Sequence, residues 1–255
     1  IRVRDPVSPN NARIEIAMTR HQAFLLNTLG FALAALALAG LVVWLHPGPL
    51  LVLNKIDKPF LLTLALGAVT GPGLMLYLYK PGKKRLWLDV TTVVLLQGLV
   101  WGYGTWLIWQ ERPGWLVVAV DRIELIRANE VDASRIPEKE LRRPTPGQPP
   151  LVIAHQPDSP RRRARLTMAV LQGEPDIERR PGLYAPPRNA NRKALRTQAQ
   201  DGDHLPHQAR QLAEDRDNIV LLPIVGGERV ALAALDLADW SLADWWLINP
   251  WKKSG

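Results

Sequence analysis

Three runs of about 20 residues without any Asp, Glu, Lys, Arg or His lie within the first 110 residues of the chain. They cover residues 24–45, 60–79 and 90–109. An α-helix rises about 1.5 Å per residue, so a run of this length covers the roughly 30 Å hydrocarbon core of a bilayer. Because hydrocarbon offers no partner to backbone N–H and C=O groups, a spanning segment must satisfy them within itself. Each run is therefore predicted to be a transmembrane α-helix.

The charges between the runs predict how the helices are oriented. Residues 46–59 carry only Lys55 and Lys58 with Asp57 between them, whereas the short connection before the third run carries four cations. Short loops rich in Lys and Arg are retained in the cytoplasm. This topology-setting loop contains Lys80, Lys83, Lys84 and Arg85.

The predicted organisation has three parts. Residues 1–23 form a cytoplasmic N-terminal segment, in which Met18 is the candidate natural start. Residues 24–110 form the transmembrane domain, and residues 111–255 form a domain on the outer side. In a bacterium, this describes a multi-pass inner-membrane protein with a periplasmic C-terminal domain, for which the lipid bilayer is a partner.

Net charge and cysteine content limit the other partners. The chain has a formal net charge of +8 at pH 7 and no cysteine. Such a basic balance would suggest nucleic acid for a cytosolic protein, but the predicted topology argues against a nucleic-acid partner. Without cysteine, the outer domain folds without disulfides and has no thiolate to act as nucleophile or metal ligand.

The sequence after residue 110 predicts a small α+β domain with an antiparallel sheet and Pro-rich insertions. Residues 114–128 are apolar and rich in β-branched side chains, which indicates one bent strand or two. Residues 133–217 contain many prolines and are predicted to be mostly irregular, with short strands or a helix at residues 151–155 and 165–173 and a helix over 205–217.

The clearest hairpin signal lies near the C-terminus. Strands are predicted over residues 219–225 and 228–235. They are joined by Gly226 and Gly227, because paired glycines accept the positive φ angles of a two-residue hairpin turn.

Two pairs of glycines give candidate partner-binding sites within the predicted membrane helices. Gly67 and Gly71 lie four residues apart in the second run, and Gly98 and Gly102 lie four apart in the third. Small residues at this spacing let helices approach closely. They either pack the second and third helices together or form a groove for another protein's transmembrane helix. Gln97, a strongly polar side chain deep in the third run, is expected to bond a neighbouring helix.

Two further surface features have a structural and a binding interpretation. The last sixteen residues are rich in tryptophan, which either closes the core of the domain or faces the bilayer or a partner. The basic run at residues 161–165 is either a solvated face or a contact for anionic lipid or an acidic protein. The candidate tryptophans are Trp240, Trp245, Trp246 and Trp251.

The sequence shows no catalytic or metal-binding pattern. It contains neither a G-x-S-x-G motif nor a phosphate-binding loop. His204 and His207 stand three residues apart, but Pro206 lies between them and no acidic ligand pattern follows. The acids Glu138, Glu140, Asp201 and Asp203 occur in loop-like polar sequence, and no pattern pairs them with a catalytic base. The expectation is a protein that is not an enzyme and binds no cofactor or metal.

Several stretches together resemble the TfpX/TfpZ family of type IV pilin accessory proteins. They are MTRHQAFLLNTLGFALAAL (18–36), PGPL (47–50), GPGLMLYLYKPGKKRLWLDV (71–90), ERPGWLVVAVDRIELIRANEV (111–131) and INPW (248–251). The family usually has GPLLT where this chain has GPGLM, and residues 133–217 match only loosely. The specificity lies in the order and spacing of the stretches, since no single one is a catalytic signature.

The resemblance implies a non-enzymatic inner-membrane protein that binds pilin and modulates the assembly or retraction of type IV pili. Its implied partners are the major type IV pilin and other pilus assembly components. The alternative is a membrane-anchored periplasmic scaffold or chaperone for another envelope complex. A membrane-anchored envelope enzyme is the third possibility.

Overall fold

The computed structural model describes residues 18–157, 159–202 and 204–252, without the side chains of residues 189 and 190. The predicted segment before residue 18 and the loop acid Asp203 lie outside this description. Within the described residues, three long apolar helices are followed by a domain built on a mixed β-sheet. By length and composition, each of these helices could cross a membrane, as the uncharged runs predict.

The first apolar helix, α1 (Arg20–Leu45), begins at a capping box. The Thr19 hydroxyl accepts a hydrogen bond from the backbone N–H of Gln22 (3.2 Å), and the Gln22 side chain accepts one from the backbone N–H of Thr19 (2.9 Å). These bonds satisfy N–H groups that have no partner within the helix. After α1 the chain makes a short helix, α2 (Leu50–Leu53).

The second apolar helix (Asp57–Leu78) contains a π-helical turn. It consists of α3 (Asp57–Ala68), the π turn (Val69–Gly73) and α4 (Leu74–Leu78). Pro72 lies inside the turn and has no N–H to donate, so the regular i to i−4 hydrogen bonds cannot continue through it. The π turn is the local adjustment that lets the helix continue past the proline.

The third apolar helix, α5 (Leu86–Gln110), leads almost directly into the sheet. Only Glu111 and Arg112 separate it from strand β1 (Pro113–Ala119). The Arg112 guanidinium lies 4.5 Å from the centroid of the Trp109 ring. Because the connection is so short, the start of the sheet is held at the end of α5.

The basic loop and the sheet domain lie at opposite ends of the apolar helices. The start of α1 lies at the same end of the helices as the basic loop. There the Tyr79 hydroxyl donates to the carbonyl oxygen of Met18 (3.1 Å). At the other end, the segment between the first and second helices packs on the sheet. The basic loop is therefore at the end of the helices away from the C-terminal domain, as predicted. The side of the membrane that each end faces stays a prediction from the loop cations.

The strands of the domain form one sheet. After β1, the described strands are β2 (Arg122–Arg127), β3 (Leu151–Ala154), β4 (Tyr184–Ala185), β5 (Ile219–Gly226), β6 (Arg229–Asp236) and β7 (Ser241–Trp246). Their order across the sheet is β4-β3-β1-β2-β5-β6-β7. Neighbours are antiparallel except for β1 with β3 and β2 with β5, which run parallel.

The prediction of an antiparallel sheet is therefore wrong, because the sheet is mixed. The β1–β2 and β5–β6 hairpins are antiparallel within themselves. However, the long insertion between them returns the chain to the end at which β2 begins, so β5 runs in the same direction as β2. The side-chain pattern of a strand does not specify whether its neighbour runs parallel or antiparallel to it.

The domain also contains three described helices, α6 (Pro160–Leu171), α7 (Asn189–Gln198) and α8 (His207–Asp215). The last lies within the helix predicted over residues 205–217. Of the two alternatives for residues 165–173, a strand or a helix, the structure has the helix α6, which begins earlier at Pro160. α7 is a regular helix inside a stretch predicted to be mostly irregular. The β5–β6 turn consists of Gly227 and Glu228, one residue later than predicted, with Gly227 at φ +61°.

Both faces of the sheet are covered. On one face, Leu50 and Leu53 of α2 pack with Leu222 and other strand residues. On the opposite face, Trp115 and Tyr184 lie in one buried cluster, and α8 covers a second. Strands buried on both faces have nearly continuous apolar sequences. Because α2 belongs to the connection between two apolar helices, the helices and the sheet share a core.

Candidate partner-binding site

Gly67 and Gly71 lie against side chains of the other apolar helices. A β-carbon built on Gly67 would be 3.2 Å from Cζ2 of Trp101. One built on Gly71 would be 2.7 Å from the amide carbon of Gln97 and 2.9 Å from Oδ1 of Asn27. Both glycines therefore take part in packing the protein's own helices.

Gly98 and Gly102 face outward. Apart from their own helix, no described atom lies within 4 Å of a β-carbon built on either of them. The glycine of the third helix that closely approaches the second is Gly104, whose β-carbon would lie 2.9 Å from Cβ of Thr63. Sequence reasoning missed Gly104 because it does not stand four residues from another glycine. The two glycine pairs thus lie in different environments.

A pair of amide side chains joins the first and third helices. Asn27 Nδ2 donates to Gln97 Oε1 (2.9 Å), and Gln97 Nε2 donates to Asn27 Oδ1 (3.3 Å). The prediction that Gln97 bonds a neighbouring helix is confirmed. Gly71 leaves the space for this pair, since any larger residue there would displace the amides.

The amide pair leaves part of its hydrogen-bonding capacity unused. A primary amide has two N–H donors and two acceptor lone pairs, and the bonds between Asn27 and Gln97 use one donor and one acceptor of each. Both side chains line a cavity of about 410 Å³ between α1 and α5. Lipid tails cannot satisfy the remaining groups. The cavity therefore offers hydrogen bonds to whatever occupies it.

This cavity continues as a furrow along α1. A second cavity of about 280 Å³ shares Ala34 and Trp101 with the first and extends to Leu41. At about 1.5 Å per residue, the path from Ala23 to Leu41 is about 27 Å long, close to the thickness of a hydrocarbon core. We call this surface the α1 furrow. Its lining from α1 is Ala23, Leu26, Asn27, Gly30, Ala34, Ala37, Leu38 and Leu41.

A buried polar network ties the apolar helices to the sheet. His46 lies with Nδ1 2.8 Å from the carbonyl oxygen of Val42 and Nε2 2.8 Å from the side-chain nitrogen of Asn54. The Asn54 amide also donates to the carbonyl of Glu111 (2.7 Å) and accepts from Nε of Arg127 (2.8 Å). A neutral imidazole with its proton on Nδ1 satisfies both contacts. Burial lowers the pKa of His46, which favours this neutral form.

The tip of the β5–β6 hairpin holds the α2 segment. Arg229 donates through Nη1 to the carbonyl of Val52 (2.6 Å), and Lys55 pairs with Glu228. Gly226 approaches so closely that a β-carbon there would lie 2.6 Å from a backbone carbonyl oxygen of α2. Together with the direct connection from α5 to β1, these contacts fix the orientation of the domain on the helices.

The four candidate tryptophans divide between core and surface. Trp240 and Trp246 are partly buried and pack against two different clusters of the sheet. Trp245 lies beside the 46–56 segment, with Nε1 3.6 Å from a β-carbon built on Gly48. Trp251 is 46% exposed. It is the most open of the four to a partner.

The basic run lies on α6, which has no buried residue. The side chains of Met168 and Leu171 on the same helix are also exposed. The helix contacts the sheet through Leu166, which packs on the cluster around Trp115. The structure therefore places Arg161–Arg165 on an open helical surface beside exposed apolar side chains.

No group of three or more His, Cys, Asp or Glu side chains is arranged to hold a metal ion in the part of the chain that the structure describes. The ring of His204 lies 2.9 Å from the carbonyl oxygen of Pro250. Two carboxylates that sequence reasoning did not select, Glu124 and Glu178, are buried in the domain. Burial raises the pKa of Glu124, which accepts a hydrogen bond from Nε of Arg122 (2.7 Å).

No protein-family model, no curated protein and no solved structure matches the chain. The resemblance to pilin accessory proteins consequently stays a prediction from the quoted stretches.

Proposed function

We propose that the protein is a non-enzymatic inner-membrane accessory protein for type IV pilus biogenesis, which binds pilin and modulates the assembly or retraction of the fibre. The quoted stretches supply the pilus context by resemblance. The α1 furrow, with its partly satisfied amide pair, is the observation that carries the proposal, because its shape and chemistry suit a transmembrane helix of another protein.

The physics of helix association in lipid supports this use of the furrow. Lipid tails are as apolar as leucine, so two helices gain little by hiding apolar surface from them. Helices associate instead where small residues allow close packing and where polar side chains can bond. The furrow offers both, with Gly30 and Ala34 as small residues and with Asn27 and Gln97 as hydrogen-bonding groups.

The fixed position of the sheet domain supports a second contact with the same partner. A pilin in the inner membrane is held by its apolar N-terminal helix, with its globular head on the periplasmic side. An accessory protein whose outer domain is clamped to its membrane helices can contact the helix and the head in one geometry. The clamp consists of the Asn54 network and the β5–β6 tip.

In-membrane crosslinking tests this proposal. The chain contains no cysteine, so single cysteines can be placed on chosen helix faces. With a pilin that carries one cysteine in its membrane helix, Ala34→Cys is expected to give a crosslink to pilin. The matched control is Leu36→Cys, since Leu36 lies on α1 and is 70% exposed outside the furrow. Gly98→Cys tests the outward glycine face in the same assay.

The pattern of crosslinks decides between the outcomes. Capture of pilin from Ala34 and not from Leu36 supports the furrow, whereas capture from Gly98 alone would move the site to the outward glycine face. Equal capture from all three positions, or none from any, contradicts a helix-binding groove. Deletion of the gene tests the pilus context, because loss of surface pili at normal pilin levels is the expected result. Unchanged pili would favour a scaffold or chaperone of another envelope complex.

A further inference from the structure

Helix α6 carries arginines that the described residues do not neutralise. The sequence around it, residues 157–172, contains four arginines and one acid, Asp158. Arg161, Arg162 and Arg165 are exposed, and no hydrogen bond or ion pair engages their guanidinium groups among the residues that the structure describes. A single exposed arginine is ordinary, because water solvates it well. The surface beside two of these arginines is what distinguishes the helix.

A groove of about 440 Å³ lies between α6 and residues 180–183, and we call it the α6 groove. Arg162 and Arg165 line it from α6, and Arg180 lines it from the other segment. No described acid lines it. The remaining lining residues are Pro157, Leu166, Ala169, Gly182 and Leu183. The groove therefore combines cations with an apolar floor.

The donors that are open to a ligand belong to α6. Arg180 is engaged, because Nη2 donates to Glu174 (3.1 Å) and Nε donates to the carbonyl oxygen of Pro175 (2.9 Å). Arg162 and Arg165 are three residues apart, so their side chains project from the same face of the helix. Each guanidinium can donate two parallel hydrogen bonds to a carboxylate. The α6 groove thus suits carboxylates that stand next to an apolar side chain.

The position of α6 argues against the protein's own bilayer as the anionic surface. Strand β1 begins directly after α5, and its seven residues extend about 20 Å. α6 lies at the far end of β1, where Arg163, Leu166 and Thr167 share a cavity with the β1–β2 turn. The contacts that hold the sheet on the helices come from the opposite end, at Arg127 and the β5–β6 tip. The potential of an anionic lipid surface falls off within a Debye length of about 8 Å, which is much shorter than β1.

We propose that the α6 groove binds an acidic segment of another protein, whose carboxylates bond Arg162 and Arg165 while an apolar side chain of the segment packs on Leu166 and Ala169. Clusters of arginine are a recurring means of recognising acidic motifs. A second copy of this chain is a poor occupant, since its net charge of +8 repels a basic surface. The inference needs neither the α1 furrow nor the pilus context, so the failure of one leaves the other standing.

Peptide binding to the full-length protein in detergent tests the proposal. The probe is a rhodamine-labelled peptide that contains Glu-Glu-Leu-Glu-Glu in a Gly-Ser frame, and its binding is followed by fluorescence anisotropy. The control peptide has glutamine in place of every glutamate. We expect the glutamate peptide to bind at least roughly tenfold more tightly than the glutamine peptide.

Matched substitutions locate the binding on the protein. Arg162→Gln with Arg165→Gln removes the cations of the groove, and binding of the glutamate peptide should weaken at least roughly tenfold. The control is Lys193→Gln with Arg196→Gln, because these exposed cations have the same spacing on α7, which packs on the opposite face of the sheet. This control removes the same charge and should bind the peptide as the parent protein does. Ala169→Glu places a carboxylate in the groove and should abolish binding.

Anionic vesicles test the other source of negative charge. The protein is placed in nanodiscs of phosphatidylcholine and mixed with vesicles that contain phosphatidylglycerol, and we expect no co-flotation that depends on Arg162 and Arg165. Such co-flotation would assign the α6 groove to lipid and overturn the proposal. Equal losses of peptide binding in the two double variants would also overturn it, because the attraction would then be general to the charge of the protein. Absence of glutamate-peptide binding by the parent protein would do the same.

Discussion

The apolar helices and the sheet domain use the same residue types in opposite ways. In the sheet, large side chains such as Leu222 and Ile224 are fully buried on strands covered on both faces. In the helices, Leu33 and Leu99 are more than half exposed. Of the most apolar 18-residue stretch, only 17% is buried within the protein in the first helix, 28% in the second and 6% in the third. The remaining surface of these helices is open, as the prediction of membrane helices requires.

The difference teaches which contacts hold each part together. Water drives the large apolar side chains of the domain into a core. In the predicted bilayer no such force acts on the helices. They contact one another through close approach at Gly67, Gly71 and Gly104 and through the hydrogen bonds between Asn27 and Gln97. The segment between the first two helices lies at the boundary of the two regions. Its Leu50 and Leu53 are buried in the core of the sheet, as the strand residues are.

The largest expected effect tests this boundary. Leu53 lies in the connection between two apolar helices, yet it is fully buried in the core of the sheet. Leu53→Ala should lower the free energy of unfolding of the domain by about 2–5 kcal/mol, because a core cavity is created. The measurement is guanidinium unfolding in detergent, followed by circular dichroism. Leu51→Ala, at a residue that is 38% exposed, should cost less than about 1 kcal/mol. Equal effects of the two substitutions would mean that α2 does not share the core of the sheet.

A smaller effect sharpens the comparison within the helices. Gly71→Ala should destabilise the bundle by about 1–3 kcal/mol, because the new β-carbon would displace the amide pair. The same change at Gly98 should have an effect below about 0.5 kcal/mol, since that glycine is open. Unfolding in mixed detergent and dodecyl sulfate measures both. A destabilisation by Gly98→Ala as large as that by Gly71→Ala would contradict the division between packed and outward glycines.

The network that joins the two regions should make stability depend on pH. Burial lowers the pKa of His46 in the folded protein below its ordinary value of 6.5. Between these two values the unfolded chain binds a proton that the folded protein does not, so stability is complete above pH 6.5 and falls as the pH drops towards the folded pKa. The unfolding midpoint measured from pH 7.5 to pH 4.5 should therefore decrease on the acid side. His46→Gln should flatten the part of the decline that begins near pH 6.5, while His155→Gln, at an exposed residue, should leave it in place.

Patterns within single elements could be predicted from the sequence. The three helices follow from the absence of charge over a bilayer's thickness. The β5–β6 hairpin follows from glycines between two apolar strands, although its turn is Gly227–Glu228 and not the glycine pair. Gln97 was correctly assigned to a neighbouring helix because an amide in hydrocarbon needs a partner.

Features that depend on distant parts of the chain could not be predicted. The parallel pairing of β2 with β5 arises from the path of the insertion between them. The α1 furrow depends on which faces of the helices pack together, and no motif in the α1 sequence predicts it. Glu178 stands in loop-like sequence, and its burial against β1 and β2 becomes visible only when the sheet is assembled.

The smallest expected effect addresses the amide pair itself. Asn27→Leu and Gln97→Leu, singly and together, give a double-mutant cycle whose coupling free energy should be about 0.6 kcal/mol and at most about 1.7 kcal/mol. The value is small because, even in the separated state, each amide finds other partners in the membrane. Thr92→Val in place of either substitution should show no coupling, since the Thr92 hydroxyl bonds its own helix at Leu88. A coupling of several kcal/mol would mean that the pair is as strong as a hydrogen bond buried in the sheet domain. The contrast between the two regions would then fail. A modest coupling means that Asn27 and Gln97 can give up a hydrogen bond to each other at little cost. They can then form one to a polar group on the transmembrane helix of a partner.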